Sequence, residues 1–160
     1  MEEKISLESN IKQFSIVISD VSRCKAKFTV SLKDLALIGA RYYLIEHNLD
    51  TDEYGEIIRS HYHLILVFNK KKRAKGVLNR VAEIFNTNVE NVQIMGVYDF
   101  VSSLQYLIHL NDKNKHLYDI NDIWTNDDRD LLKQYLASKS ETLHLTTDIL
   151  IDLVVYQHNL

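Results

Sequence analysis

The chain has 160 residues and is 46% hydrophobic, which provides enough apolar mass for one domain with a single core. Its single cysteine excludes a disulfide framework and a zinc site made of thiolates, and no stretch reaches the ~18 apolar residues of a membrane-spanning helix. The net charge of −3 disfavours a nucleic-acid partner, although basic residues cluster between positions 70 and 75. Because the first residues do not form a signal peptide, we expect a soluble cytoplasmic protein without a membrane partner.

Apolar alternation and helical spacing predict the order strand, helix, strand, strand, helix, strand, helix. The predicted strands cover residues 13–19, 41–47, 60–68 and 89–97. The predicted helices cover residues 31–38, 76–85 and 98–110, and two more follow a polar loop, at 128–138 and 145–158. The first helix is expected to begin at a capping box of Ser31 and Asp34, to bury Ala36 among others, and to end near Gly39.

This order predicts an α+β fold, with helices packed on a mainly antiparallel sheet of about five strands, ferredoxin-like or a permuted relative. We divide the chain into a folded domain, residues 1–126, and a C-terminal helical extension, residues 127–160. The extension is rich in apolar residues after position 138, more than the exposed tail of a monomer would carry. Either it packs back on the domain, or it belongs to an oligomerisation or further helical region.

A His-x-His pair opens the most apolar strand. His61 and His63 share one face of a strand because side chains alternate, whereas Tyr62 is expected to face the other side and pack under a helix. The pair is either half of a metal site or two core histidines. If the preceding strand forms a hairpin with this one, His47 and Asp50 converge on the pair. Three imidazoles and a carboxylate suit Mn²⁺ or Zn²⁺, while Mg²⁺ prefers more oxygen.

Tyr106 lies on a predicted helix, and its spacing places it on one face with His109, Ser102 and Ser103, away from the apolar stripe. A tyrosine on a polar face can act as a nucleophile if a metal or base and a polarised phosphate lie nearby. The alternative is a tyrosine that only borders the core.

A basic run directly follows the histidine strand. It comprises Lys70, Lys71, Lys72, Arg73 and Lys75, and we expect it to open the next helix. Such a run is either a solvated face or a contact to the DNA backbone, and the other features of the chain favour DNA.

Four blocks of the sequence together resemble a known family. They are FSIVIS, HNLD, HYHLILVF and YLIHLNDKNKHLYDINDI, and they span residues 12–125. The last block contains Tyr106-Leu-Ile-His109 followed by Lys113-Asn-Lys-His-Leu-Tyr-Asp119. In these motifs the chain resembles the HUH endonucleases, and among them the rolling-circle replication initiators (Rep proteins) of small Gram-positive plasmids.

The resemblance implies a nuclease and origin-binding domain that nicks single-stranded DNA at a plasmid double-strand origin. The bound ion, Mn²⁺ before Mg²⁺ or Zn²⁺, would be held by His47, Asp50, His61 and His63, and would polarise the scissile phosphate. Tyr106 would form a 5′-phosphotyrosine and leave a 3′-OH primer. His109 would either assist or serve the structure. Lys113 and Lys115 would position phosphates.

The partners that the resemblance implies are the origin duplex, the single-stranded nick site in a hairpin, the host replication machinery and further copies of the chain. Two alternatives remain open. One is a relaxase or single-tyrosine transposase of the same superfamily, which would also use Tyr106. The other is a non-catalytic DNA-binding domain with a structural metal. A histidine-triad nucleotide hydrolase is set aside because position 65 is Ile65.

Overall fold

The computed structural model describes residues 2–19 and 28–138 of the protein. Within them, the strands are β1 Glu2–Glu3, β2 Asn10–Ile18, β3 Ala40–His47, β4 His61–Arg73, β5 Val92–Val97 and β6 Trp124–Thr125. The α-helices are α1 Phe28–Ala36, α2 Ala74–Ile84, α3 Phe100–Leu107 and α4 Arg129–Ala137. Two 3₁₀ helices lie at Val89–Asn91 and Ile120–Asp122. None of the described helices combines the length and the apolar character needed to cross a membrane.

The strands form one sheet in the order β1-β5-β2-β4-β3-β6, and every neighbouring pair is antiparallel. β4 lies at the centre between β2 and β3, as expected for the most continuously apolar segment of the chain. The predicted α+β fold with an antiparallel sheet is therefore confirmed, with six strands in place of about five.

Each face of the sheet carries its own core. One face packs against α1 and α2 and includes Phe14, Leu44 and Phe85. The ring of Tyr62 lies 5.5 Å from that of Phe85, so its predicted direction toward a helix is confirmed. The other face packs against α3 and α4 through a second cluster, which includes Tyr43. The histidines of β4 belong to this second face because they alternate with Tyr62.

The start of the first helix differs from the prediction. α1 begins at Phe28, so Ser31 lies inside the helix and the predicted capping box at Ser31 is wrong. Ala36, the last residue of the helix, is exposed, so its predicted burial is wrong. The predicted stop is confirmed: Gly39 has φ +81°, a left-handed conformation that suits glycine after a helix.

The basic run also differs from the prediction. Lys70 to Arg73 continue β4 and only Lys75 lies in α2, so the run does not open the helix. The reason is pairing: Lys72 and Arg73 lie opposite Ile11 and Asn10 of β2, which extends the ladder beyond the apolar part of β4.

The predicted end of the chain is only partly described. The expected helix at 128–138 is observed as α4, whose side chains Leu132 and Leu136 join the second core with those of α3. The second expected tail helix, 145–158, lies outside the described residues. The division of the chain after residue 126 stays a prediction.

Candidate active site

Three histidines meet at one end of the β3–β4 hairpin. His47, the last residue of β3, lies directly opposite His61, the first residue of β4, and His63 follows on the same face. The ring of His47 lies 5.3 Å from that of His61 and 4.2 Å from that of His63. One ligand nitrogen of each lies within 4.8 Å of those of the other two. The described residues therefore contain a histidine group of the size that holds a divalent metal.

The buried ring of His47 shows how this group fits a cation. Its Nε2 lies 2.6 Å from the carbonyl oxygen of Leu107 and donates to it, so Nδ1 carries a lone pair when the ring is neutral. Burial is the main cause that lowers the pKa of His47 to about 4, and it lowers that of His63 to about 2. The Nδ1 atom is buried without a hydrogen-bond partner, although the Asp50 carboxylate lies 3.3 Å away. A lone pair facing a carboxylate is stabilised by a cation between them.

Asp50 is held in place by Tyr118. The tyrosine hydroxyl donates to Oδ1 of Asp50 at 2.7 Å and accepts from the backbone N–H of Leu49 at 3.0 Å. The other oxygen, Oδ2, lies 3.4 Å from Nε2 of His61. The ring of Tyr118 also stacks on that of His47, with centroids 4.5 Å apart and an angle of 6°. Sequence reasoning missed this role of Tyr118, which belongs to the quoted block but carries no local pattern that marks it.

His109 takes part in a second group of donors. It lies just after α3 with φ +59°, and this left-handed turn brings its buried ring to 4.6 Å from that of His47. His47, Asp50 and His109 place one ligand atom each within 4.8 Å of one another. Nδ1 of His109 also donates to the carbonyl of His116 at 2.8 Å. His109 therefore lies among the candidate ligands, whereas the sequence predicted only an assisting or structural role for it.

Tyr106 lies at the border of this group. Its ring is partly buried and packs edge-on against that of His109, with 5.3 Å between centroids. Its hydroxyl oxygen accepts a hydrogen bond from Nζ of Lys115, which raises the pKa of the lysine. Ser102 and Ser103 do not share this border as predicted, because both are buried.

Comparison with known families identifies the chain. Residues 8–131 match the family described as plasmid replication protein, origin binding domain. The chain belongs to this family. The match includes all five residues of the candidate centre from His47 to Tyr106, and it confirms the resemblance to plasmid replication initiators. No curated protein sequence matches the chain significantly.

The basic run of this origin-binding domain lies away from the histidines. Lys70 follows His61 by nine strand residues, a separation of about 30 Å at ~3.3 Å per residue. Arg73 pairs with Glu8, and Nζ of Lys72 lies 5.8 Å from the ring centroid of Phe68. Lys70 and Lys71 are exposed. The structure therefore brings Lys115 to Tyr106 but leaves the basic run at the opposite end of β4.

Proposed function

We propose that this origin-binding domain nicks and rejoins one DNA strand at a plasmid double-strand origin and so initiates rolling-circle replication. The observation that carries the proposal is the buried, unpartnered Nδ1 of His47, which faces Asp50 beside His61 and His63. A tyrosine, Tyr106, lies one histidine ring away from this group.

The residues that would hold a divalent ion are His47, Asp50, His61 and His63, with His109 as an alternative donor. Mixed nitrogen and oxygen donors suit Mn²⁺ best, with Zn²⁺ and Mg²⁺ as alternatives. When bound, the ion draws charge from the oxygens of the scissile phosphate. Tyr118 orients Asp50 for this role, and the Leu107 carbonyl orients His47.

Tyr106 is the nucleophile in the proposed reaction. Its oxygen attacks the phosphorus and gives up its proton to water, the bond from phosphorus to the 3′ oxygen breaks, and that oxygen takes up a proton from water to give a 3′-OH. The phosphate remains joined to Tyr106 as a 5′-phosphotyrosine. The ammonium of Lys115 donates to the tyrosine oxygen, so it positions the nucleophile and stabilises the negative charge that develops as the phenol loses its proton. The reverse reaction rejoins the strand.

The exposed lysines form two surfaces, and each would contact a different part of the DNA. Lys113 and Lys115 lie on the loop beside Tyr106, where they would contact the single strand. Lys70 to Lys75 would bind the backbone of the origin duplex. Lys70 lies about 30 Å from His61 along β4, which is close to the ~34 Å of one turn of B-DNA, so one origin can contact both surfaces. The 3′-OH would serve host replication enzymes, and the C-terminal tail would mediate assembly of further copies.

The test is covalent capture of DNA. The protein is incubated with Mn²⁺ and a labelled single-stranded oligonucleotide from the replication origin of its plasmid, and adducts are separated on a denaturing gel. We expect an adduct with the native chain and with Tyr98→Phe, a matched control because Tyr98 is exposed before α3. Tyr106→Phe and EDTA should abolish it.

The alternatives predict other outcomes of the same experiment. A non-catalytic domain with a structural metal gives no adduct with any origin hairpin, and this result would refute the proposal. A relaxase or transposase gives an adduct with transfer-origin or element-end hairpins in preference to the replication origin. The family match favours the plasmid initiator.

A further inference from the structure

A cavity of about 440 Å³ opens where β3 ends, beside the loop that leads to β6. Its volume falls within the ~300–1,000 Å³ typical of small-molecule pockets. Trp124 and Leu117 line it with apolar surface, and Glu46 contributes a carboxylate. The reaction proposed at Tyr106 makes no use of this cavity.

The charge of the cavity selects against phosphate. Glu46, Asp119 and Asp122 line it with carboxylates, and among the described residues no lysine or arginine does so. Asp119 caps the 3₁₀ helix and accepts from the backbone N–H of Asn121, and Asp122 accepts in return from the backbone N–H of Asp119. Glu46 is not tied to this turn, so its whole carboxylate is available to a ligand that brings its own hydrogen-bond donors.

An unpaired nucleobase has the chemistry that this cavity requires. Its flat face stacks on aromatic side chains such as the indole of Trp124. The amino groups of cytosine, adenine and guanine donate to carboxylates, whereas thymine has no amino group. Pockets that receive a base outside the double helix read it in this way, by stacking and by hydrogen bonds to its pairing edge.

Shared residues join the cavity to the candidate metal site. Asn48 and Leu49 line the cavity and lie between His47 and Asp50 in the chain. Tyr118 lines it as well, and the same tyrosine donates to Asp50 at 2.7 Å. Glu46 and Trp124 lie on the other face of the sheet from His47, at its β3–β6 edge. A strand whose phosphate lies at the metal site would therefore pass around this edge to place a neighbouring base in the cavity.

We propose that this cavity binds one unpaired, amino-bearing base of the single strand next to the nick, stacked on Trp124 and hydrogen-bonded to Glu46. This inference rests on the proposed function, because it concerns the same DNA strand. It adds a base-specific contact, with a preference for cytosine, adenine or guanine over thymine at one nucleotide.

The experiment uses Trp124 as its own reporter, because it is the single tryptophan of the chain. Tyr106→Phe protein in EDTA is titrated with hexanucleotides of deoxycytidine, deoxyadenosine or thymidine while tryptophan fluorescence is recorded. We expect quenching by the first two, with binding about fivefold or more tighter than that of the thymidine hexamer. Equal binding of all three, or no quenching, would overturn the inference.

Glu46→Gln tests the assigned acceptor. The amide has the size of the carboxylate but lacks its charge, so the preference over thymidine should fall at least about threefold, since hydrogen bonds to charged groups are the stronger ones. Glu53→Gln, on the exposed β3–β4 loop, is the matched control and should keep the preference. An unchanged preference in Glu46→Gln would contradict the assignment.

Trp124→Leu tests stacking, with binding measured by anisotropy of dye-labelled hexanucleotides and folding by circular dichroism. A folded variant should bind the cytidine hexamer about fivefold or more weakly. If this variant does not fold, the base preference of Glu46→Gln tests the cavity alone.

The two proposals can fail separately, because base binding is measured without metal or nucleophile. If no adduct forms but the base preference is intact, only the proposed nicking activity is refuted. Adducts without base preference refute only the cavity.

Discussion

Nε2 of His47 lies 2.6 Å from the carbonyl oxygen of Leu107, and this hydrogen bond joins the end of β3 to the last residue of the helix that carries Tyr106. It has two consequences. It fixes the tautomer of His47 so that the lone pair on Nδ1 faces Asp50. It also sets the distance between the candidate ligands and the nucleophile, because Leu107 follows Tyr106 directly.

Metal binding should stabilise the fold. An ion that binds only the folded state at a hundredfold its Kd adds about 2.7 kcal/mol, which raises the Tm of a domain of this size by roughly 5–10 °C. We expect this shift with Mn²⁺ or Zn²⁺ in a thermal unfolding experiment. His61→Ala should remove most of it, whereas His116→Ala should retain it, since His116 belongs to neither donor group. Equal shifts in both variants would argue against the site.

Tyr118→Phe should weaken the metal site without removing a ligand. The variant loses the hydroxyl that donates to Asp50, and loss of such an orienting hydrogen bond typically costs about 10- to 100-fold in metal affinity. Calorimetric titration with Mn²⁺ measures this. Tyr42→Phe is the control, because Tyr42 is buried on the opposite face of the sheet. An unchanged affinity in Tyr118→Phe would mean that Asp50 is oriented by other contacts.

Lys115→Ala should slow strand cleavage more than it weakens DNA binding. The ammonium donates to the oxygen of Tyr106, and removal of a donor to a developing negative charge costs about 100-fold or more in rate at well-ordered sites. Because Lys115 is exposed, we expect a loss of at least about tenfold under single-turnover conditions. Lys113→Ala, on the same loop, should weaken DNA binding but cleave at the native rate once the protein is saturated with DNA. Equal losses in the two variants would indicate that both lysines act only through DNA binding.

The basic end of β4 should govern salt-dependent affinity for duplex DNA. Removal of one lysine–phosphate interaction lowers the slope of log K against log salt by about 0.9, so Lys70→Ala with Lys71→Ala should lower it by roughly 1–2. Duplex binding across a salt series, followed by anisotropy, measures the slope. Cleavage of a short single strand should be unaffected in this variant. Lys133→Ala, on α4, is the control for the loss of positive charge elsewhere on the domain. A native slope in the double variant would show that the basic run does not contact DNA.

The stability of the domain should fall in alkali, partly through Tyr43. Burial and the hydrogen bond to Asp127 raise the pKa of Tyr43 above the ordinary value of 10.0. The unfolded chain therefore loses this proton above about pH 10 while the folded chain keeps it, so stability decreases as pH rises through that range. Denaturant unfolding should show a slope about 1.4 kcal/mol per pH unit shallower in Tyr43→Phe. Parallel profiles of the two proteins would contradict this.

The sequence by itself determined the sheet and its central hairpin. Alternation placed His61 and His63 on one face and Tyr62 on the other, and pairing of two neighbouring strands placed His47 opposite His61. These features follow from periodicity and from short connections, which act between residues close in the chain. Local details were wrong at the start of α1, in the burial of Ala36, Ser102 and Ser103, and in the basic run, where pairing with β2 extended a strand through charged residues.

The tertiary structure alone decided what surrounds these histidines. Tyr118 reaches Asp50 across 68 residues of sequence, and His47 reaches Leu107 across 60. His109, the second residue after α3, itself adopts a left-handed conformation with φ +59°, and this turns its ring toward the sheet. Lys115 reaches Tyr106 because the loop after α3 folds back, with Tyr118 N–H donating to the Ile108 carbonyl at 3.0 Å. Such contacts join segments that share no periodicity, so no local pattern in the sequence encodes them.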